Sequence, residues 1–286
     1  MKRTNFSAAA AVCAGLVLAA SCSSWAPEQQ VSDYERNELK GPVASMRLIP
    51  YLVDSVDGGY EAVRVEPSPN NVYLEFDRDG RTTLNRRFNS RGERLSDRVY
   101  EYDSKGRLIS TTLTDTTGKV LESASYTYSK GRLVSVRTMD GDSLRQYSEY
   151  TYYDRDSVVM DFYFKENERS GYRVMTYDSL GNNITNVTRN DEGMLMSSFE
   201  LGYDSLGRKD TITSFSVFFG EMNSGMDYND EGFCIRSVMN GRAGVAVYDF
   251  RHKLDSHGNW IERESCPAGS STPKRVERRE LTYYEN

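Results

Sequence analysis

The sequence predicts an all-β chain: an antiparallel meander of about 16–18 strands, curled into a spiral or barrel-like sheet. Three observations predict it. A phrase of the form (Tyr/Phe)-Asp-x-x-Gly returns every 24 to 26 residues. Large and polar residues alternate before each copy. No proline lies between positions 70 and 266, although the chain has seven. Proline cannot donate to a strand ladder, so a gap of that length suits one continuous sheet.

The register is carried by Gly80, Gly106, Gly131, Ser157 (in place of Gly), Gly181, Gly207, Gly232 and Gly258. A second set, Gly92, Gly118, Gly141, Gly193, Gly220 and Gly241, falls near mid-repeat. Each repeat is therefore two strands and two turns. The residue before each Asp position is Phe76, Tyr102, Tyr128, Tyr153, Tyr177, Tyr203, Tyr228 or Leu254. One step earlier the row is polar except at Tyr152, and two steps earlier it is mostly apolar. A period of two held through eight copies marks strands with one covered face.

The turn has a mechanism. Asp accepts a bond from the backbone N–H two residues on, two ordinary residues form a type I turn, and Gly follows where φ is positive. "YDSLGN" (177–182) and "YDSLGR" (203–208) fit that recipe. They read as corners, not as Asp–Ser catalytic pairs. A flat sheet of so many strands, each about 4.8 Å wide, would span about 80 Å. Open sheets of that width curl or split.

Ahead of the sheet lies a targeting segment. Lys2 and Arg3 are followed by the apolar run 8–20, too short to span a bilayer. The stretch "LAASC" (18–22) resembles a bacterial lipobox, which implies cleavage between Ser21 and Cys22 and lipidation of Cys22. Residues 1–21 are then signal peptide, 22–40 a polar tether with a short helical turn at "SDYERNELK", and 41–286 a single β domain. Several acyl chains, at about 0.8 kcal/mol per buried CH₂, hold such a protein at a membrane. Ser23, not Asp, follows the cysteine, and no acidic run comes next. By resemblance to known sorting rules, this implies the periplasmic face of the outer membrane.

Cleavage takes the formal net charge from −6 to −8, which disfavours non-specific nucleic-acid binding. It also leaves two unmodified cysteines, Cys234 and Cys266. Two readings stand: a disulfide formed in an oxidising compartment, or Cys234 as an ordinary buried strand residue. With two His and no CxxC, no metal site and no cofactor are expected.

"YDSKGRL" (102–108), "YSKGRL" (128–133), "YDSLGN", "YDSLGR" and the closing "LDSHGNWIERE" (254–264) resemble the YD repeat of the RHS and teneurin families. The whole is similar to YD-repeat lipoproteins of Bacteroidota without assigned activity. The resemblance spans about residues 71–265 and implies a curled strand wall, not a chemistry. No toxin domain and no Asp-Pro self-cleavage motif accompany it.

No GxSxG, HExxH, P-loop or GxGxxG occurs. The tripeptides starting at Asp54, Asp115, Asp142, Asp156, Asp178, Asp204 and Asp210 resemble the O-glycosylation sequon of exported Bacteroidota proteins. They make Ser55, Thr116, Ser143, Ser157, Ser179, Ser205 and Thr211 candidate acceptors. The expected role is non-enzymatic: a binding or scaffolding surface anchored to the outer membrane, with a glycan or an envelope protein as partner. An envelope hydrolase using acidic residues inside the curled sheet, and a membrane-spanning β-barrel, are the competing readings.

Overall fold

The computed structural model describes residues 32–56, 59–153, 156–165 and 167–285. Cys22, Ser21 and the rest of the targeting segment lie outside them. A four-residue helix, α1 (Asp33–Arg36), precedes nineteen strands. These are β1 (Val43–Val56), β2 (Gly59–Val65), β3 (Val72–Phe76), β4 (Thr82–Phe88), β5 (Arg94–Tyr102), β6 (Leu108–Thr114), β7 (Val120–Ser129), β8 (Arg132–Asp140), β9 (Ser143–Tyr153) and β10 (Ser157–Lys165). The chain continues through β11 (Glu168–Tyr177), β12 (Asn183–Asn190), β13 (Leu195–Tyr203), β14 (Lys209–Ser216), β15 (Gly220–Tyr228), β16 (Cys234–Gly241), β17 (Gly244–Leu254), β18 (Trp260–Pro267) and β19 (Arg275–Tyr283).

From β3 to β19 each strand pairs antiparallel with the next. The ring closes because β1 takes both ends. Its Ser45–Leu48 stretch pairs with β3, and the same residues pair with β19 on the other side. β2 pairs with the far half of β1 and stands outside the ring. The meander is thus a closed barrel of 18 strands, one of the shapes that its width demands.

The repeat turns form as their sequence dictates. In the first, Asp77 N–H donates to Arg81 O and Gly80 N–H to Asp77 O, at 2.9 and 3.0 Å. The Asp77 carboxylate accepts from the backbone of Asp79 and Arg81. Gly80 has φ +77°, and a Cβ there would also press on the Tyr34 ring at 3.0 Å. One ladder shift follows each such turn, as at Tyr102↔Leu108 and Tyr203↔Lys209. That is the bulge that the Gly permits.

The copy without Gly departs from the expected row. Its hairpin closes on the pair Tyr153↔Ser157, with Val158 opposite Tyr152. Three residues lie inside that closing pair where five separate Tyr102 from Leu108, and the one-residue ladder shift is absent; a one-residue change of register turns every side chain over. Tyr152, not Tyr153, occupies the buried row, and Tyr153 is exposed.

The face bearing this row is the less exposed of the two around the ring. That is the pattern of a concave side, where side chains converge. Two dry clusters lie on it. One joins Leu39, Met46, Leu48, Leu74, Phe76 and Trp260 at the closure seam. The other joins Val158, Met160, Met175 and Tyr177 on β10 and β11, half way round the ring. The tether also ends earlier than expected. From Ser32 onward the chain is docked on the barrel: α1 is held by a capping box of Ser32 and Glu35, and Leu39 is buried. The amphipathic spacing of Tyr34 and Leu39 was submerged in a polar run.

Candidate functional site

Two regions gather functional side chains: the turn rim and the closure seam. At the rim the recurrent Arg links one repeat to the next. Arg81 bonds Asp77 at 2.7 Å in its own turn, and its guanidinium covers the ring of Tyr102 in the following repeat. Arg107 does the same with Asp103 and Tyr128, and Arg208 with Asp204 and Tyr228. These Tyr hydroxyls, and that of Tyr203, donate backward to a bulge carbonyl: Tyr102 to Thr82 O, Tyr128 to Leu108 O, Tyr203 to Asn183 O, Tyr228 to Lys209 O. Burial raises the Tyr203 hydroxyl to about 12, so it stays a donor. The bond to Arg107 holds Asp103 down to about 2. The sequence carried this signal as a constant interval of 20 or 21 residues from Arg to the next Tyr.

The seam is different. On its concave side Glu277, 2 % exposed, pairs with Arg263 at 2.7 Å and Arg275 at 3.2 Å. Arg275 also reaches Glu66 at 2.9 Å. Burial opposes the charge on Glu277, yet the neighbouring guanidiniums outweigh it and its pKa is lowered. Glu38, from the docked N-terminal segment, accepts from Trp260 Nε1 at 2.7 Å and pairs with Arg263 at 3.3 Å. Trp260 lies between Arg263 and Arg279, whose guanidinium carbons sit 4.5 and 3.3 Å from its ring centre. Burial lowers Arg279 to about 9. Asn259, wholly buried, pairs with both backbone groups of Lys40 at 2.6 and 2.9 Å. His252 stacks on Phe233, and burial lowers it to about 4.

Glu277 at the seam and Asp103 on the rim are held ionised by arginine, the opposite of a proton-donating acid. Burial pushes one other carboxylate up, that of Glu264, and it stands on the convex side bonded to Arg251. Among the described residues, no group of three His, Cys, Asp or Glu could hold a metal ion.

The convex side of the seam carries an open groove of about 420 Å³ between β1, β3 and β19. The C-terminal tail makes one wall. Tyr284 N–H donates to Pro42 O, and its hydroxyl reaches across β1 to Phe76 O.

The cysteines are both free. Cys266 is opposite Asp249, which is opposite Arg236, so a whole strand separates Cys266 from the strand of Cys234. Two strand spacings are about 9.6 Å, beyond the reach of a disulfide. Burial lifts the Cys234 thiol to about 11, which keeps it unreactive.

Of the candidate acceptors, Thr116, Ser179 and Ser205 are exposed at turn tips, and Ser143 and Thr211 are exposed on strands. Ser157 is half-buried and bonded to Tyr153 O. The Ser55 side chain lies outside the described ones.

No protein family matches the chain, and no curated protein matches it. Among solved structures it is similar to a porin-like protein from Bacteroides uniformis, with 11 % identity over 85 % of this chain and 98 % of that one, at a TM-score of 0.41. A likeness of that size carries no argument about activity. No helix among the described residues is long and apolar enough to cross a membrane, which leaves strands unaddressed.

Proposed function

We propose that this chain is a lipid-anchored envelope barrel that acts by binding, not by catalysis. One observation carries the reading: the convex wall holds charges beside its apolar positions, such as Val159, Val174 and Val187. Ion pairs stand on it around the ring, as at Arg86–Asp97, Arg169–Asp161, Arg251–Glu264 and Arg278–Glu262. A lipid-facing wall needs an apolar band, and charges at its middle are costly. A wet wall requires another means of membrane attachment, and the lipobox at Cys22 supplies it. The arginine-held carboxylates of the seam support a binding rather than an acid–base role.

A second reading, a bilayer-spanning barrel, is favoured by closure on an even number of antiparallel strands, the arrangement of outer-membrane pores. Fractionation of native cells separates the two. The Cys22→Ser protein should leave the membrane fraction and stay soluble without detergent. If it remains membrane-bound and needs detergent to be extracted, the spanning reading stands instead.

A further inference from the structure

We propose that the groove on the convex side of the seam is a saccharide site, specific for neutral or amino sugars. The inference rests on the binding role above and names its ligand class. The lining decides the chemistry. Tyr73 supplies ring surface, and Tyr284 lines the groove with the Arg78 guanidinium 4.8 Å from its ring centre; Glu75 and Asp77 supply carboxylates; Ser45, Thr83 and Thr282 supply hydroxyls. No Lys, Arg or His lines it.

Most of these groups are committed. Asp77 is bonded to Arg81, Ser45 and Thr282 bond each other at 2.6 Å, and Tyr284 donates to Phe76 O. Thr83 donates to Glu75 O at 3.3 Å, which leaves its lone pairs free. The Glu75 side chain is exposed and makes no hydrogen bond or ion pair among the described residues. The groove therefore presents acceptors and asks its ligand for donors. Asp77 is neutralised by Arg81, but Glu75, a carboxylate without an ion pair among the described residues, disfavours an anion beside it. A ligand with O–H or N–H donors around an apolar ring face meets both demands: donors to Glu75, ring face to tyrosine. Pyranoses have that form.

The groove exists only because the barrel is closed. Its walls come from the first ring strands and from the last residues of the chain, and no interior repeat reproduces it.

The test uses the full-length lipoprotein in detergent micelles. Isothermal titration would be run with oligosaccharides of N-acetylglucosamine, glucosamine, glucose and galacturonic acid. Neutral or amino sugars should bind and the uronic acid should not. Glu75→Gln should weaken binding at least tenfold with an unchanged melting temperature, and Arg278→Gln, on the same side outside the lining, should leave it intact. Thr83→Val gives a second lining variant, and it too should weaken binding. Absence of sugar binding, or binding indifferent to both lining variants, overturns the assignment. Those results leave the anchoring test at Cys22 untouched, so the broader reading fails or stands separately.

Discussion

On the concave side of β18 and β19, Trp260, Glu277 and Arg279 are sealed from solvent; on the concave side of β13 to β15, Phe199, Ile212 and Met226 stay half exposed. Both stretches follow the same meander and the same alternation. They differ in cover. Residues 38–40 lie over the first, bonded to Trp260, Arg263 and Asn259, while the second has no described segment above it. The repeat builds the wall and leaves this stretch wet. At the seam, dryness comes with cover from the N-terminal segment; the other dry cluster, on β10 and β11, is built by repeat residues alone. Hydrophobic stabilisation scales with apolar area removed from water, so the seam should dominate the stability of the closed form.

The sharpest way to break that contrast is to remove a charge from each region. Glu277→Gln leaves Arg263 and Arg275 buried with a neutral partner. The expected loss is about 3–5 kcal/mol, the usual result of orphaning a buried charge. Arg208→Gln on the rim removes a half-exposed pair and should cost about 1 kcal/mol or less. Urea unfolding of both variants gives the comparison. Equal losses would mean that the seam is no drier in solution than the rim.

Glycines offer a second contrast. A Cβ at Gly171 on β11 would stand 2.3 Å from Arg189 O and 2.6 Å from the Phe162 ring. Backbone does not yield cheaply, so Gly171→Ala should cost about 1–3 kcal/mol. Gly225 on β15 has nothing within 4 Å. Gly225→Ala should stay within about 0.5 kcal/mol of the parent. Thermal melts that moved together would refute the tight packing beside the second dry cluster.

The wall was legible in the sequence and the seam was not. Asp77, Gly80 and their repeats announce themselves because a turn with a bulge is local chemistry, decided within five residues. Periodicity likewise exposed the face of Tyr102 and Tyr203. It misled at Tyr153, because a shortened loop shifts register without changing composition. The seam pairs Lys40 with Asn259 and Glu38 with Arg263, more than 200 residues apart. No spacing rule reaches across that interval. The cysteines show the same limit: their number was readable, and the strand between them was not.

Acid separates the regions by pH. At the seam, folding holds His252 at about 4 against an ordinary 6.5. Its neutral form is the folded one, so its contribution is complete above pH 6.5 and is lost as pH falls from 6.5 to about 4. The full shift corresponds to about 3 kcal/mol. Partial contact of the ring with solvent discounts that to about 1–2 kcal/mol. The rim responds later. Asp103, held at about 2, contributes above the ordinary carboxylate range and loses that contribution between about pH 4 and pH 2. Stability curves should therefore show two acid steps. His252→Phe should erase the upper one and spare the lower. A single step, or an upper step surviving the substitution, would dissociate acid sensitivity from the seam.

The smallest effect tests whether the wall is held by its tyrosine ladder. The Tyr203 hydroxyl donates to Asn183 O at 2.8 Å, across to the strand begun by the preceding turn. Tyr203→Phe keeps the ring in place and deletes that one donor. The carbonyl it leaves sits at a bulge, where the β11–β12 ladder shifts at Tyr177↔Asn183. The expected cost is about 1 kcal/mol, the net worth of one hydrogen bond. Tyr153→Phe is the matched control, since that ring lies on the exposed side of its strand and should change stability by less than about 0.5 kcal/mol. The two substitutions remove the same atom from rings two turn copies apart. If Tyr153→Phe cost as much as Tyr203→Phe, the row of bonds along the rim would contribute nothing beyond the rings themselves, and cohesion between repeats would rest on backbone pairing alone.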